Sequence, residues 1–351
     1  MNKPMVLVIH GMGTHKPGET KKIIAEGLNQ AAKNFGLADF DIKDKVEFFQ
    51  FNYSDFLDEI RLKDAEKAGD IIKHISLLQG RGLGEKTAGK LIELFADFDE
   101  EQMFYTHWMD VIYYGMMFWG EKIRVDLAKN VNDRMIERGL GNRDLHIIAH
   151  SLGTAVLHDT LAKLFRKDTD ITSAVPQLDT DRFQIDSLWM VANVSRLLNI
   201  LNDIADPNHS IVNSDGGGCT DLLFNVRNEF DPFTWIKKYQ RPIENGGRHI
   251  NVKTVREVNT HDLKEYMAAP EVADAFFSNV LGVSVSNTQY KQGVAAHALT
   301  SINYSYEELK DAFEDLRHPD DETIGKVEAI LDLAKSADTF KNKLQTMLDQ
   351  A

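Results

Sequence analysis

The sequence predicts an α/β fold in which a mostly parallel sheet is covered by helices on both faces. Two observations carry this reading. Short β-branched runs alternate with helical patterns up to about residue 300, and only helical patterns follow. The composition, 43% apolar and 27% charged over 351 residues, is that of a globular chain long enough to bury a large core.

Met5–Ile9 is a β-branched run that ends in His10-Gly11-Met12-Gly13. Residues 21–35 then have helical spacing (Ile23, Ile24, Leu28, Ala31, Phe35), stopped by Gly36. Residues 46–53 (VEFFQFNY) alternate as a strand does. From about 54 to 140 the pattern is helical for some ninety residues, too long for a simple crossover, and reads as an insertion or cap. Residues 145–149 (LHIIA) predict a strand followed at once by a helix over about 152–165. Further strands are predicted over 187–194, 221–226 and 251–258. Beyond 300 lie two amphipathic patterns, the second placing Ile324, Val327, Leu331, Ala334, Leu344 and Leu348 near one face. The organisation expected is one domain over 1–300 with a helical insertion at about 54–140, then a helical extension over 301–351.

Charge and cysteine usage exclude several classes. The chain has 40 Lys+Arg against 54 Asp+Glu, a net charge of −14, whereas nucleic-acid partners require clustered bases. Cys219 is the single cysteine, so neither an intramolecular disulfide nor a cysteine-ligated metal centre is possible. The apolar run in MNKPMVLVIHG is too short for a signal-peptide core. The most apolar window, 103–119, contains His107 and Asp110 and falls short of the ~20 apolar residues of a spanning helix. These features predict a soluble, cytoplasmic protein without a transmembrane segment. No HExxH, Cys-x-x-Cys or EF-hand pattern occurs, so no metal is expected. Gly84–Leu91 has P-loop spacing, but Leu91 replaces the magnesium-binding hydroxyl; in Gly13–Thr20, Glu19 stands where the phosphate-binding Lys belongs. No nucleotide or other cofactor is expected.

The chemistry concentrates in Ala149-His150-Ser151-Leu152-Gly153, between a strand and a helix. A serine there sits on a sharp turn above the sheet edge, with small residues on either side and a helix N-terminus behind it. The loop His10-Gly11-Met12-Gly13 follows the first strand. Asp231 follows the strand DLLFNV, and His261 follows NVKTVREV, so serine, acid and histidine come in that order. For the histidine the rivals are His249 and His209; for the acid they are Glu229 and Asp206.

Together these segments resemble the α/β-hydrolases of the serine esterase and lipase superfamily, particularly bacterial members with an HGMG-type first loop and an AHSLGT elbow. The resemblance covers about residues 5–280, with Ala149 in place of the commoner glycine. It implies a three-layer sandwich and assigns Ser151 as nucleophile, His261 as base and acid, and Asp231 as orienting carboxylate. The amides of Met12 and Leu152 would form the oxyanion hole. His10, Gly11, Gly13 and His150 would line the substrate, His150 as a packing or positioning residue rather than a second base. His15 lies near enough to touch substrate, while His146, His158 and Cys219 read as structural. The expected reaction is hydrolysis of a small-molecule or lipid carboxylic ester through an acyl-enzyme. The aromatic and Met-rich segment 103–119 is either core or a lid for an apolar acyl chain. The alternative is a catalytically silent scaffold that binds a protein partner, or a second copy, through the helical insertion and extension.

Overall fold

Every residue of β1 (Met5–Ile9) is fully buried, yet its side chains divide between two cores. Met5, Leu7 and Ile9 enter one, and Val6 and Val8 enter the other. Successive side chains of a strand point to opposite faces, so a strand apolar at every position belongs in a sheet covered on both sides.

The computed structural model describes residues 3–65, 110–111, 113–115, 119–139, 145–181, 184–302, 304–316 and 326–350. The other strands are β2 (Glu47–Phe51), β3 (Leu145–His150), β4 (Ile185–Val191), β5 (Thr220–Asn228) and β6 (Arg248–Val252). All pair in parallel, in the order β2-β1-β3-β4-β5-β6. Ile9 lies opposite Phe51 and Ala149, and His150 opposite Val191. The loops that follow the strands therefore leave from one edge of the sheet. Residues brought together there need not be near one another in sequence.

The first core is closed by α3 (Trp119–Arg138) and α4 (Leu152–Phe165). Ile123, Leu127, Ala128, Val131 and Met135 recur at helical spacing and form the buried face of α3. The helix α2 (Ser54–Ala65) adds Leu57 and Ile60. Opposite, α1 (Glu19–Asn34) packs with two helices that follow β6, α7 (Leu263–Ala268) and α8 (Pro270–Val280). Between these lie α5 (Thr169–Thr172) and α6 (Ser195–Asn202); α9 (Asn287–Ala298) follows α8. A third, smaller core joins α10 (Tyr306–Ala312) and α11 (Lys326–Gln350) to the loop after β5 through Phe230, Trp235, Val255, Leu309, Phe313, Phe340 and Leu344. Among the described residues no helix is long and apolar enough to cross a membrane.

Two strand expectations are corrected. The strand expected over 251–258 lies earlier, at Arg248–Val252. Ile250 and Val252 point into the second core, whereas Val255 turns into the third and its carbonyl accepts from the Ile302 amide. The strand expected over 187–194 ends at Val191. Ala192 adopts φ 49° and leads into α6, a helix the periodicity had not separated. Gly84–Leu91 lies outside the described residues, as does most of 103–119; of that segment Val111, Tyr113 and Tyr114 are buried in the first core. On the predicted C-terminal face Leu344 is buried and Leu348 packs beside it, while Ile324 and the side chains of Val327, Leu331 and Ala334 lie outside the described ones.

Candidate active site

Ser151 caps α4 with φ 52° and ψ −126°, a conformation that non-glycine residues adopt at a cost of about 1–3 kcal/mol. The surroundings hold it there. Its amide donates to the Val191 carbonyl at 3.0 Å, and its carbonyl accepts from both the amide and the hydroxyl of Thr154 at 2.8 and 2.6 Å. The Thr154 hydroxyl in turn accepts from the Val194 amide, tying the turn to the end of β4. Space forces glycine at two neighbouring positions. A Cβ on Gly153 would stand 2.3 Å from the His10 carbonyl oxygen, and one on Gly11 would stand 2.9 Å from the Ser151 Cβ. The loop after β1 therefore lies directly against the serine.

That loop is fixed from behind. The buried His10 ring stacks on Tyr53 with centroids 4.0 Å apart. Its Nε2 accepts from the Tyr53 amide at 3.0 Å, so the ring proton is on Nδ1, which donates to the Gly11 carbonyl at 2.6 Å. Burial, reinforced by His15, pulls the His10 pKa down to about 3 and keeps the ring neutral. The Tyr53 hydroxyl also donates to the Gly11 carbonyl, at 2.9 Å. In a planar trans peptide the N–H points opposite the carbonyl, so the Met12 N–H faces away from these anchors. Gly13 is held through its amide by the buried carboxylate of Asp110 at 2.7 Å. Leu152 begins α4, where the first amides have no acceptor within the helix. Among the described residues neither the Met12 nor the Leu152 amide donates a hydrogen bond.

The acid and the base leave adjacent strands. His261 Nε2 lies 2.8 Å from Ser151 Oγ, and His261 Nδ1 lies 2.7 Å from Asp231 Oδ2. A carboxylate only accepts, so Nδ1 carries the proton and Nε2 offers its lone pair to the serine hydroxyl. Asp231 is fully buried and accepts two further hydrogen bonds, from the Tyr266 hydroxyl at 2.7 Å and the Phe233 amide at 3.0 Å. The Tyr266 oxygen accepts from the Asn228 amide, which fixes the direction of its own proton. The His261 ring lies between Phe233 and His150, with centroid distances of 4.3 and 4.8 Å. The loop carrying it is pinned by Thr260, whose hydroxyl donates to the Phe230 carbonyl, and by Asp262, which caps α7.

The residues singled out in the sequence thus come together: Met12, Ser151, Leu152, Asp231 and His261, with His10, Gly11, Gly13 and His150 around them. His150 donates from Nε2 to the His261 carbonyl at 2.9 Å, and burial together with the neighbouring His261 holds its pKa well below 6.5. His15 contacts the Met12 carbonyl through Nε2. The rival residues are engaged elsewhere. His249 lies within β6 and bonds Asn225 and the Arg241 carbonyl; His209 pairs with Asp206; Glu229 accepts from Tyr306. His146 bonds Ser187, and His158 bonds Asp159 and Ser210.

Sequence reasoning missed Tyr53, Asp110, Thr154, Phe233 and Tyr266. For Thr154 a signal existed, since a hydroxyl three residues into a helix can return to the capping residue's carbonyl. For Phe233 one existed too, since its amide donates to the Asp231 side chain two residues earlier, as in an Asx turn. Tyr53, Asp110 and Tyr266 act across chain separations of 35 to 97 residues, which no local pattern encodes.

Chemically, a hydroxyl, an imidazole and a buried carboxylate in hydrogen-bonded sequence can move a proton off the hydroxyl and hold the resulting imidazolium. Two undonated amides beside the hydroxyl can receive an oxyanion. Comparisons of the chain with protein-family models, with curated proteins and with solved structures found no match.

Proposed function

We propose that the protein is a serine hydrolase of the α/β-hydrolase type that cleaves carboxylic esters. The observation that carries this reading is the continuous chain from Ser151 Oγ through His261 to Asp231, with contacts of 2.8 and 2.7 Å.

In this reading Ser151 Oγ attacks the ester carbonyl carbon while His261 Nε2 takes its proton. The Met12 and Leu152 amides hold the oxyanion of the tetrahedral intermediate, and buried Asp231 stabilises the imidazolium. As the carbonyl re-forms, the bond to the leaving oxygen breaks, and His261 returns the proton to it as an alcohol. Water then attacks the acyl-serine as His261 takes its proton; the acyl–oxygen bond breaks, His261 returns the proton to Ser151 Oγ, and the carboxylic acid departs. The strained backbone of Ser151 supports the reading, because strain of this kind persists where a fixed side-chain direction is needed.

A fluorophosphonate probe tests it. Wild type is expected to be labelled and Ser151→Ala not, with ester turnover in the variant lower by about 10³-fold or more. An unlabelled wild type, or equal labelling of the two proteins, would overturn the proposal.

A further inference from the structure

In the hydrolase reading the oxyanion has two amide donors, and what stands behind them differs. Leu152 opens the helix α4, whereas Met12 belongs to a loop. The Met12 amide shares one peptide group with the Gly11 carbonyl, which points the opposite way. That carbonyl accepts from His10 Nδ1 at 2.6 Å and from the Tyr53 hydroxyl at 2.9 Å. The hydroxyl has one proton, which it divides between this oxygen and the His10 carbonyl at 3.0 Å. Tyr53 is 3% exposed; burial, with Asp110 nearby, raises its pKa well above 10 and keeps that proton in place.

Tyr53 acts on the Gly11 carbonyl twice. Its own amide donates to His10 Nε2, which selects the tautomer whose Nδ1 proton reaches Gly11, and its hydroxyl supplies the second donor. A hydrogen bond received by a peptide carbonyl draws electron density from the nitrogen and makes the N–H a stronger donor. Two donors on the Gly11 oxygen therefore strengthen whatever bond the Met12 N–H makes. Gly11 and Met12 line a cavity of about 140 Å3 together with Ser151 and His261. Resting on the hydrolase reading above, we infer that Tyr53 is a positioning residue of the oxyanion hole, strengthening the Met12 N–H through the Gly11 carbonyl without touching substrate.

The test compares 4-nitrophenyl butyrate with its thiono analogue, in which sulfur replaces the carbonyl oxygen and accepts hydrogen bonds weakly. Tyr53→Phe keeps the ring that stacks on His10 and loses only the hydroxyl. Its kcat/KM for the ester is expected to fall about 5-fold, and the ester-to-thionoester ratio about 3-fold. A residue that only filled space would lower both substrates equally. A second protein carries 3-fluorotyrosine in place of Tyr53, a stronger donor of similar size, and its ratio is expected to rise. Both substrates are measured on one preparation, so the ratio does not depend on how much of a variant is folded. A ratio unmoved in Tyr53→Phe, or unmoved or lowered by 3-fluorotyrosine, would overturn the inference. Fluorophosphonate labelling of wild type and Ser151→Ala runs alongside. If only wild type is labelled, an unmoved ratio leaves the hydrolase reading standing; if wild type is unlabelled, both fall.

Discussion

Asp231 is a buried carboxylate that receives three donors, and two of them, His261 and Tyr266, share one oxygen. A hydrogen bond from Tyr266 draws charge from that oxygen and makes the carboxylate a weaker partner for a protonated imidazole. Tyr266→Phe removes the bond and leaves the carboxylate more basic, so an imidazolium beside it becomes easier to form. The acid limb of the kcat/KM pH profile is expected to move to higher pH, and kcat to fall about 10-fold with KM little changed. A residue that only filled space would not move the limb. His150 plays a different part: neutral because burial lowers its pKa, it steadies the His261 backbone without adding a second positive charge. The elbow was legible in the sequence because its constraints are local: a short strand, a turn with small residues, then a helix. Tyr266 was not, because its partner lies 35 residues away and is reached only through the pairing of β5 with β6.

At the scale of elements, the loop that carries Asp231 does not stand alone. Phe230 and Trp235 flank the acid and pack against Phe313 of the segment after α10 and Phe340 of α11; the Trp235 and Phe340 rings meet edge to face at 5.5 Å. The Tyr306 hydroxyl adds a bond to Glu229 at the end of the same strand. The last two helices thus turn Leu309, Phe340 and Leu344 onto the acid loop, while Leu333 of α11 enters the first core. Phe340→Ala is expected to cost about 3–5 kcal/mol in chemical denaturation. Under conditions where the variant is still folded, kcat should fall while KM stays close to wild type, since the acid and not the substrate pocket is disturbed. The helical character of this region was readable from its spacing; what it packs against was not. The displaced β6 has the same origin. Val255 breaks the period of two set by Ile250 and Val252, and the chain leaves the sheet at Val252, with Val255 packed in the third core.

Across the whole molecule, stability should depend on buried histidines as much as on the −14 net charge. Burial pulls His10 to about 3 and, with Arg256 nearby, His297 to about 4, against about 6.5 in an unfolded chain. Each folded pKa is depressed, so between 6.5 and the folded value the unfolded chain binds a proton that the folded chain does not. Stability from these rings is complete above pH 6.5 and is lost as the pH falls. His297→Gln removes one such group away from the serine; its unfolding free energy should fall less steeply than wild type between pH 6.5 and 4, by up to about 3 kcal/mol. Equal slopes in parallel denaturant titrations would count against it. The parallel α/β class could be read from the alternation of strands and helices, whereas the order β2-β1-β3-β4-β5-β6 rests on pairings between distant segments. The order of Ser151, Asp231 and His261 along the chain fixes when the three are all present in a growing chain. The serine emerges 110 residues before the histidine beside it, and the acid 30 before. A nascent chain therefore carries Ser151 as an ordinary alcohol for 110 residues of its synthesis, and His261 is the last of the three to be made.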